Sequence, residues 1–147
     1  METVFVYGTL RAGGVRAISK LFTEAVFIGL GTLPGRLYDF GAYPGFIAGS
    51  GSPVIGEVYM VDPAALSTMD DIERIADQMY LRTSHTVTMA TGSPRECWAY
   101  EVNPDIYQLH DRDLIMSGDW IVHAGTKGEL PPEHWPDEAP IKFGASG

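Results

Sequence analysis

Alternating hydrophobic side chains near the start of the chain predict a buried strand. In the stretch TVFVYGTLR, Val4 and Val6 fall on one face of this strand. Phe5 and Tyr7 fall on the other face. The strand runs into a glycine turn at residues 8–10, and a segment with helical spacing follows. This turn is either a plain connection or a place where backbone amides bind a ligand. The second alternative is possible because glycine lets the backbone approach a ligand closely.

Further along the chain, the pattern predicts more strands and two short helices. Apolar residues at i, i+3 and i+4 predict one helix at residues 15–22. Asp62 followed by Pro63 predicts the start of the other, which is expected to end near Asp77. The remaining extended segments are residues 25–38, the middle of GAYPGFIAGSGSP, PVIGEVYMV, YLRTSHTVTM and RECWAYEV.

This order of elements predicts an α+β fold. The strands do not alternate regularly with helices, which favours a mostly antiparallel, curved or barrel-like sheet. Glycines at the strand ends fit strong curvature. The segment SGDWIV is expected to end in a short strand, and residues 124–147 to form an irregular tail after a domain of residues 1–123.

Composition and charge narrow the class of protein. At 147 residues with 45% hydrophobic and 20% charged residues, one globular domain is expected. No apolar run approaches the roughly 18 residues of a membrane span, so no membrane partner is predicted. The net charge is −9 and the basic residues are scattered, which argues against nucleic acid as a partner. A single cysteine, Cys97, suits a reducing cytoplasm.

Sequence patterns typical of cofactor or metal sites are weak in this chain. The stretch GLGTLPG resembles a dinucleotide fingerprint, but its third glycine position is Pro34 and no helix is predicted after it. None of the four histidines forms an HxxxH pair, and Cys97 has no partner in CxxC spacing. We therefore predict neither a cofactor nor a resident metal, and we interpret Cys97 as a core residue.

Carboxylates are the more interesting candidates. On the predicted helix, Asp70, Glu73 and Asp77 share one face at i, i+3 and i+7. That face is either solvated, or a site that gathers a divalent cation, or the source of one carboxylate that acts as general acid and base. Glu57, in the middle of a strand, is a rival: it lies on an outer face, or it is buried and must be paired or protonated.

Four motifs in order resemble one enzyme superfamily. FVYGTLR, LYDFGAYPG, GEVYMVDPAALSTMDDIE and YLRTSHTV together resemble the γ-glutamylcyclotransferases, including γ-glutamylamine cyclotransferase, AIG2-like and BtrG-like proteins. The resemblance covers residues 3–102, and SGDW at 117–120 resembles a late motif of bacterial members.

The resemblance implies a fold and a reaction. The fold would be a small mixed, mostly antiparallel β-barrel with short helices and a cavity beside the YGTL turn. Members cyclise the γ-glutamyl part of an amide to 5-oxoproline and release an amine or amino acid, without metal or cofactor. The family motif L-D-x-x-E begins here at Met69, so its catalytic glutamate falls on Glu73. The glycine that often follows is Arg74, a departure from the family pattern.

The remaining site residues follow from the same resemblance. The turn of Gly8, Thr9 and Leu10 would present amides to the substrate's α-carboxylate or to the developing oxyanion. Tyr7 would offer a hydroxyl at the cavity wall.

The Y-x-R strand supplies two more candidates. Tyr80 and Arg82 would line the same cavity, although Arg82 could equally form a structural ion pair. Asp70 and Asp71 are expected to cap, solvate or orient. Segments 40–52 and 103–120 are expected on the leaving-group side.

Two other functions stay open at this point. One is a non-catalytic member of the fold that binds a small amino-acid-like ligand. The other is a metal hydrolase that uses the acidic helix face. In each case the expected partner is a small molecule, and neither the leaving amine nor the oligomeric state can be read from the residues.

Overall fold

The computed structural model describes residues 1–8, 11, 18, 22, 24–41, 43–73 and 78–126. Most of the helix predicted at residues 15–22 and the tail from residue 127 lie outside these described residues. Six strands are described: β1 (Glu2–Val6), β2 (Val26–Asp39), β3 (Pro44–Ala48), β4 (Ser52–Val61), β5 (Tyr80–Met89) and β6 (Pro94–Val102). The helices are α1 (Pro63–Ile72) and α2 (Trp120–Thr126), with a 3-10 turn at Asp111–Asp113.

The strands form a closed barrel with one additional strand. Their order is β3-β2-β4-β1-β6-β5, and a further pairing of β2 with β5 closes the ring. The β1–β6 pair is parallel, whereas the other pairs are antiparallel. The predicted α+β fold with a mixed, mostly antiparallel barrel is therefore confirmed.

A glycine allows the ring to close. Gly31 on β2 pairs with Met89 on β5. A Cβ atom at Gly31 would lie 2.6 Å from Cγ1 of Val87, so only glycine fits where these two strands meet. Because β2 continues for 14 residues, it also pairs with β4 and with β3. One long, bent strand thus joins the barrel to the additional strand.

Alternation along the strands divides the core into two layers. The inner layer takes alternate residues from all five barrel strands, among them Phe5, Val58 and Val87. The outer layer packs the opposite faces of β1, β4, β5 and β6 against α1, and it includes Val4 and Met69. Tyr7 belongs to the inner layer, while Tyr80 and Tyr100 belong to the outer one.

Helix α1 begins as predicted and ends earlier than predicted. The Asp62 side chain accepts a hydrogen bond from the Ala65 amide at 2.7 Å, and Pro63 occupies the first turn. The helix ends at Ile72 with Glu73 as its C-cap residue, and not near Asp77. Residues 74–77 lie outside the described part of the chain.

The strand predicted within SGDWIV is wrong, because this segment leads into α2. The carboxylate of Asp119 accepts hydrogen bonds from the amides of Ile121 and Val122, which starts a helix. Trp120 packs into the inner core layer. Helix α2 runs from Trp120 to Thr126, across the predicted domain boundary at residue 123, and that boundary stays a prediction. Of the helices that the structure describes, none is long and apolar enough to cross a membrane.

Candidate active site

The carboxyl group of Glu73 is buried at the end of α1. Glu73 has 0% of its surface exposed, and its amide donates to the Met69 carbonyl at 2.9 Å. Met69, one helical turn earlier, is also fully buried. Residues at i and i+4 lie on the same face of a helix, so Glu73 lies on the buried face that also holds Met69. A solvated acidic face is therefore wrong for Glu73, while Asp71 beside it is exposed.

Three buried tyrosines lie within electrostatic reach of this carboxyl group. Burial raises the pKa of the Tyr7 hydroxyl well above its ordinary value, and the charge of Glu73 raises it further. For Tyr80 burial also comes first, followed by the Tyr7 hydroxyl and then the Glu73 charge. Burial raises the pKa of Tyr100, with further contributions from Asp70 and then from Glu73. The Glu73 charge therefore acts on all three phenols, which come from different strands or strand ends.

Each of these phenols donates its proton to another oxygen. The Tyr7 hydroxyl donates to the Tyr100 carbonyl at 2.6 Å, and the Tyr80 hydroxyl donates to the Pro44 carbonyl at 2.9 Å. The Tyr100 hydroxyl donates to Oδ1 of Asp70 at 2.7 Å. Since a phenol has one proton, the three oxygens have only lone pairs left for another neighbour. The cluster is thus rich in acceptors, which suits a ligand that carries N–H donors.

Arg82 forms an ion pair with the helix. Its Nε lies 2.9 Å from Oδ1 of Asp70, and its guanidinium stacks over the Trp98 ring at 4.3 Å from the centroid. Of the two alternatives that the sequence left for Arg82, the structural ion pair is the one observed. A contact between Arg82 and substrate stays a prediction.

The turn after β1 is held by a buried network that the sequence did not reveal. The Gly8 carbonyl accepts a hydrogen bond from the Arg11 amide at 3.0 Å, whereas Thr9 and Leu10 lie outside the described residues. The Arg11 guanidinium contacts Oε2 of Glu57 at 3.3 Å and Oδ1 of Asp119 at 2.7 Å.

Glu57 is a structural residue of this network. It is only 5% exposed, and its Oε1 accepts a hydrogen bond from Tyr59 at 2.9 Å. The open question about Glu57 is thereby answered: it is buried and paired. Because a buried carboxylate needs a partner, the sequence could have suggested that Glu57 pairs with a cation. That this cation is an arginine in the turn after β1 could be seen only in the fold.

Strand β3 lies beside the tyrosine cluster. The Tyr80 hydroxyl binds its first residue, Pro44, and Oε1 of Glu101 accepts the amide of its last residue, Ala48, at 2.7 Å. Between them, the Phe46 ring packs 5.2 Å from the ring of Tyr7. Two side chains of the β5–β6 hairpin thus fix β3 where its pairing with β2 alone would leave it less constrained.

Segments 40–52 and 103–120, which are expected on the leaving-group side, meet next to Tyr80. Phe40 and Tyr107 stack in parallel with their ring centroids 4.8 Å apart. Tyr107 in turn meets Tyr80 edge-on at 5.9 Å. An aromatic surface therefore joins the segment after β2 to the segment after β6, beside the buried carboxyl group.

The other predicted residues have simpler surroundings. Cys97 is buried, as predicted, and burial raises the pKa of its thiol to about 11. Within the described ranges, no three His, Cys, Asp or Glu side chains are grouped to hold a metal ion. Asp77, the third member of the predicted acidic face, lies outside those ranges.

Sequence and structure comparisons agree on one family. The family model described as gamma-glutamyl cyclotransferase, AIG2-like, matches residues 4–122. A provisionally named gamma-glutamylcyclotransferase of Vibrio cholerae is 38% identical over 119 residues, covering 80% of this chain and 93% of the relative. The Bos taurus protein named gamma-glutamylaminecyclotransferase is 34% identical over 113 residues, covering 68% of this chain and 65% of that protein.

A solved structure adds the same likeness in three dimensions. The AIG2-like protein of Mus musculus superimposes with a TM-score of 0.62 at 29% identity, covering 76% of this chain and 86% of that one. Fold, motif order and family match point the same way, and the chain belongs to the gamma-glutamyl cyclotransferase, AIG2-like family.

Proposed function

We propose that this protein is an amine-releasing γ-glutamyl cyclotransferase in which Glu73 is the general acid and base. Family membership and the names of the relatives support γ-glutamylcyclotransferase activity in general. The observation that carries the finer proposal is the fully buried Glu73 carboxyl group among three phenols whose protons are donated elsewhere.

The reaction needs a base and then an acid at one place. The α-amine of the substrate arrives as an ammonium, whose N–H groups suit the carboxylate and the phenol oxygens. Glu73 removes one proton, and the free amine attacks the γ-carbonyl carbon to form a C–N bond within a five-membered ring. The C–N bond to the leaving group then breaks, and Glu73 returns the proton to the departing amine. The ring nitrogen gives up its second surplus proton as the new amide forms, and the leaving amine takes it up, so the products are 5-oxoproline and an ammonium ion, and atoms and charge balance.

Positioning supplies the other part of the acceleration. Amine and carbonyl belong to the same molecule, so holding them in near-attack geometry removes most of the entropic cost of ring closure. In this proposal the amides of Gly8, Thr9 and Leu10 bind the α-carboxylate or the developing oxyanion. Tyr7, directly before this turn, lies within electrostatic reach of Glu73 and completes the wall.

For the leaving amine we propose only a chemical class, whereas the glutamyl part of the substrate is specified. The aromatic surface of Phe40 and Tyr107 next to Tyr80 fits the carbon chain or ring of an amine better than a second carboxylate. The similarity to the bovine protein named gamma-glutamylaminecyclotransferase supports the same choice. We therefore propose γ-glutamylamines as the substrate class.

A substrate panel tests the proposal directly. The protein is incubated with γ-glutamyl amides of alkylamines, of lysine and of α-amino acids, and 5-oxoproline is measured by mass spectrometry. Glu73→Gln should lower kcat about 10²- to 10⁴-fold, the usual contribution of a general acid–base. Asp71→Asn, an exposed neighbour with the same change of charge, should keep wild-type turnover.

Two results would contradict the proposal. Full turnover by Glu73→Gln would remove this residue from the mechanism. Thermal stabilisation of the wild type by γ-glutamyl compounds, with no 5-oxoproline from any of them, would indicate a ligand-binding protein instead.

A further inference from the structure

Asp70 stands one helical turn before Glu73 and contacts the barrel wall through a single oxygen. Its Oδ1 accepts the Tyr100 hydroxyl at 2.7 Å and lies 2.9 Å from Nε of Arg82. About a quarter of the side-chain surface of Asp70 and Arg82 is exposed, 23% and 27%. The Tyr100 contact is a charge-assisted hydrogen bond, which is stronger than one between neutral groups, and the Arg82 contact is an ion pair.

The two partners of Asp70 are held rigidly to each other. Arg82 on β5 and Tyr100 on β6 are directly paired across the sheet. The Arg82 guanidinium stacks on Trp98, whose indole donates to Oε1 of Glu2 at 2.9 Å. The last turn of α1 is therefore tied to a fixed place on the β5–β6 hairpin.

The same contact determines where the Tyr100 proton lies. The Tyr100 hydroxyl is in electrostatic reach of both Asp70 and Glu73. Because this proton is donated to Asp70, the Tyr100 hydroxyl has only lone pairs left for its other neighbours. Without an acceptor at position 70, the proton would be free to turn toward the Glu73 carboxylate and to stabilise its ionised form.

We propose that Asp70 is a positioning residue, which takes the Tyr100 proton and, with Arg82, fixes the end of α1 so that Glu73 stays a competent base. This inference rests on the proposed function, in which Glu73 moves the proton. Asp70 itself does not touch the reacting atoms in this scheme.

The titratable groups that act on the three phenols beside Glu73 come from several elements. They are Tyr43 before β3, Asp70 on α1, Arg82 on β5, Glu101 on β6 and Tyr107 after β6, together with Tyr7, Tyr80 and Glu73 themselves. Losing the Asp70 carboxylate removes a negative charge, leaves the positive charge of Arg82 and frees the Tyr100 proton. All three effects favour ionised Glu73, so its protonation moves to lower pH.

Kinetics of Asp70→Ala and Asp70→Asn test this role. Asp70→Ala should lower kcat about tenfold or more, change KM by less than about threefold, and move the acid limb of the kcat profile to lower pH. Asp70→Asn keeps an acceptor oxygen for Tyr100 and should recover part of kcat. The matched control is Asp71→Ala on the same helical turn, whose profile should match the wild type. A lower melting temperature with an unmoved pH profile would overturn the proposal, because it is what a purely structural contact predicts.

Tyr100→Phe provides a second variant that keeps the ring in the core. If the Tyr100 proton is the link, Asp70→Ala should lower kcat much less in the Tyr100→Phe background than in the wild type. Independent, multiplicative losses in the double variant would refute the link.

A measurement without turnover separates this inference from the proposed function. The ¹³C signal of the Glu73 carboxyl group is assigned as the one missing from Glu73→Gln and is titrated in each folded variant. Its midpoint should fall in Asp70→Ala and stay in place in Asp71→Ala. An unchanged midpoint in Asp70→Ala would refute the positioning role even in an active enzyme. A shifted midpoint in a protein that makes no 5-oxoproline would support the contact and refute the function.

Discussion

Replacing Arg11 with methionine tests how the turn after β1 is held. Methionine keeps most of the volume of the aliphatic stem but removes the guanidinium, which contacts Glu57 at 3.3 Å and Asp119 at 2.7 Å. The exposed fractions of the Arg11 and Glu57 side chains are only 9% and 7%. In the variant, Glu57 keeps the hydrogen bond from Tyr59 but loses its ion pair with Arg11.

The expected loss of stability is large for a domain of this size. Removing one partner of a buried ion pair costs about 3–5 kcal/mol, since it leaves an uncompensated charge in the interior. The lost contact with Asp119 adds less to the destabilisation, because Asp119 is more exposed and still accepts hydrogen bonds from two amides of α2. A domain typically has about 5–15 kcal/mol of stability in total. The melting temperature should therefore fall by roughly 6–20 °C.

Urea denaturation followed by tryptophan fluorescence gives the free energy of unfolding. Arg112→Met is the matched control, because Arg112 is exposed, and it should change stability by less than about 0.5 kcal/mol. Adding Glu57→Gln to Arg11→Met should restore part of the loss, since a neutral amide is less costly to bury than a carboxylate that has lost its ion pair with Arg11. A loss below about 1 kcal/mol for Arg11→Met would refute the reasoning.

The loss should also depend on pH with a known sign. In Arg11→Met, folding buries Glu57 without the Arg11 guanidinium, and the loss of that charge costs more for the carboxylate than for the neutral acid. Stability relative to the wild type then falls as pH rises, and the deficit is smallest near pH 4 and largest at neutral pH. A deficit that is the same at pH 4.5 and pH 7.5 would contradict an origin in the Glu57 charge.

Two further predictions concern packing and thiol chemistry. A Cβ at Gly56 would lie 2.5 Å from the Val6 carbonyl oxygen and 2.6 Å from the Phe5 ring, so Gly56→Ala should lower the unfolding free energy by about 1–3 kcal/mol. Gly125→Ala, where a Cβ meets nothing within 4 Å, should not destabilise the protein, and equal losses in the two variants would refute the steric explanation. With a thiol pKa of about 11, Cys97 should react with iodoacetamide at pH 8 at least about a hundredfold more slowly in the folded protein than in urea, by mass spectrometry. Similar rates in the two states would show that the thiol is neither buried nor perturbed.

Local patterns predicted most of the fold because they depend on neighbours in sequence. Period-two alternation identified β1, β4 and β6, and the Asp62–Pro63 pair marked the first turn of α1. Prediction was weakest where a local pattern is ambiguous. The apolar run at residues 120–122 is compatible with a strand, but the Asp119 side chain satisfies two helical amides and Trp120 fills the barrel core.

The sequence by itself determined where most strands lie along the chain and where α1 starts, and the family motif led to the proposal of a catalytic role for position 73. Only the tertiary structure decided that Glu73 is buried, that Arg11 pairs with Glu57, and that Tyr7, Tyr80 and Tyr100 donate their protons to other oxygens. These properties arise from contacts between distant parts of the chain, such as the Tyr7 hydroxyl and the Tyr100 carbonyl, which are 93 positions apart. A local pattern shows which side chains share a face, whereas a proton's acceptor and a charge's partner depend on which faces the fold brings together.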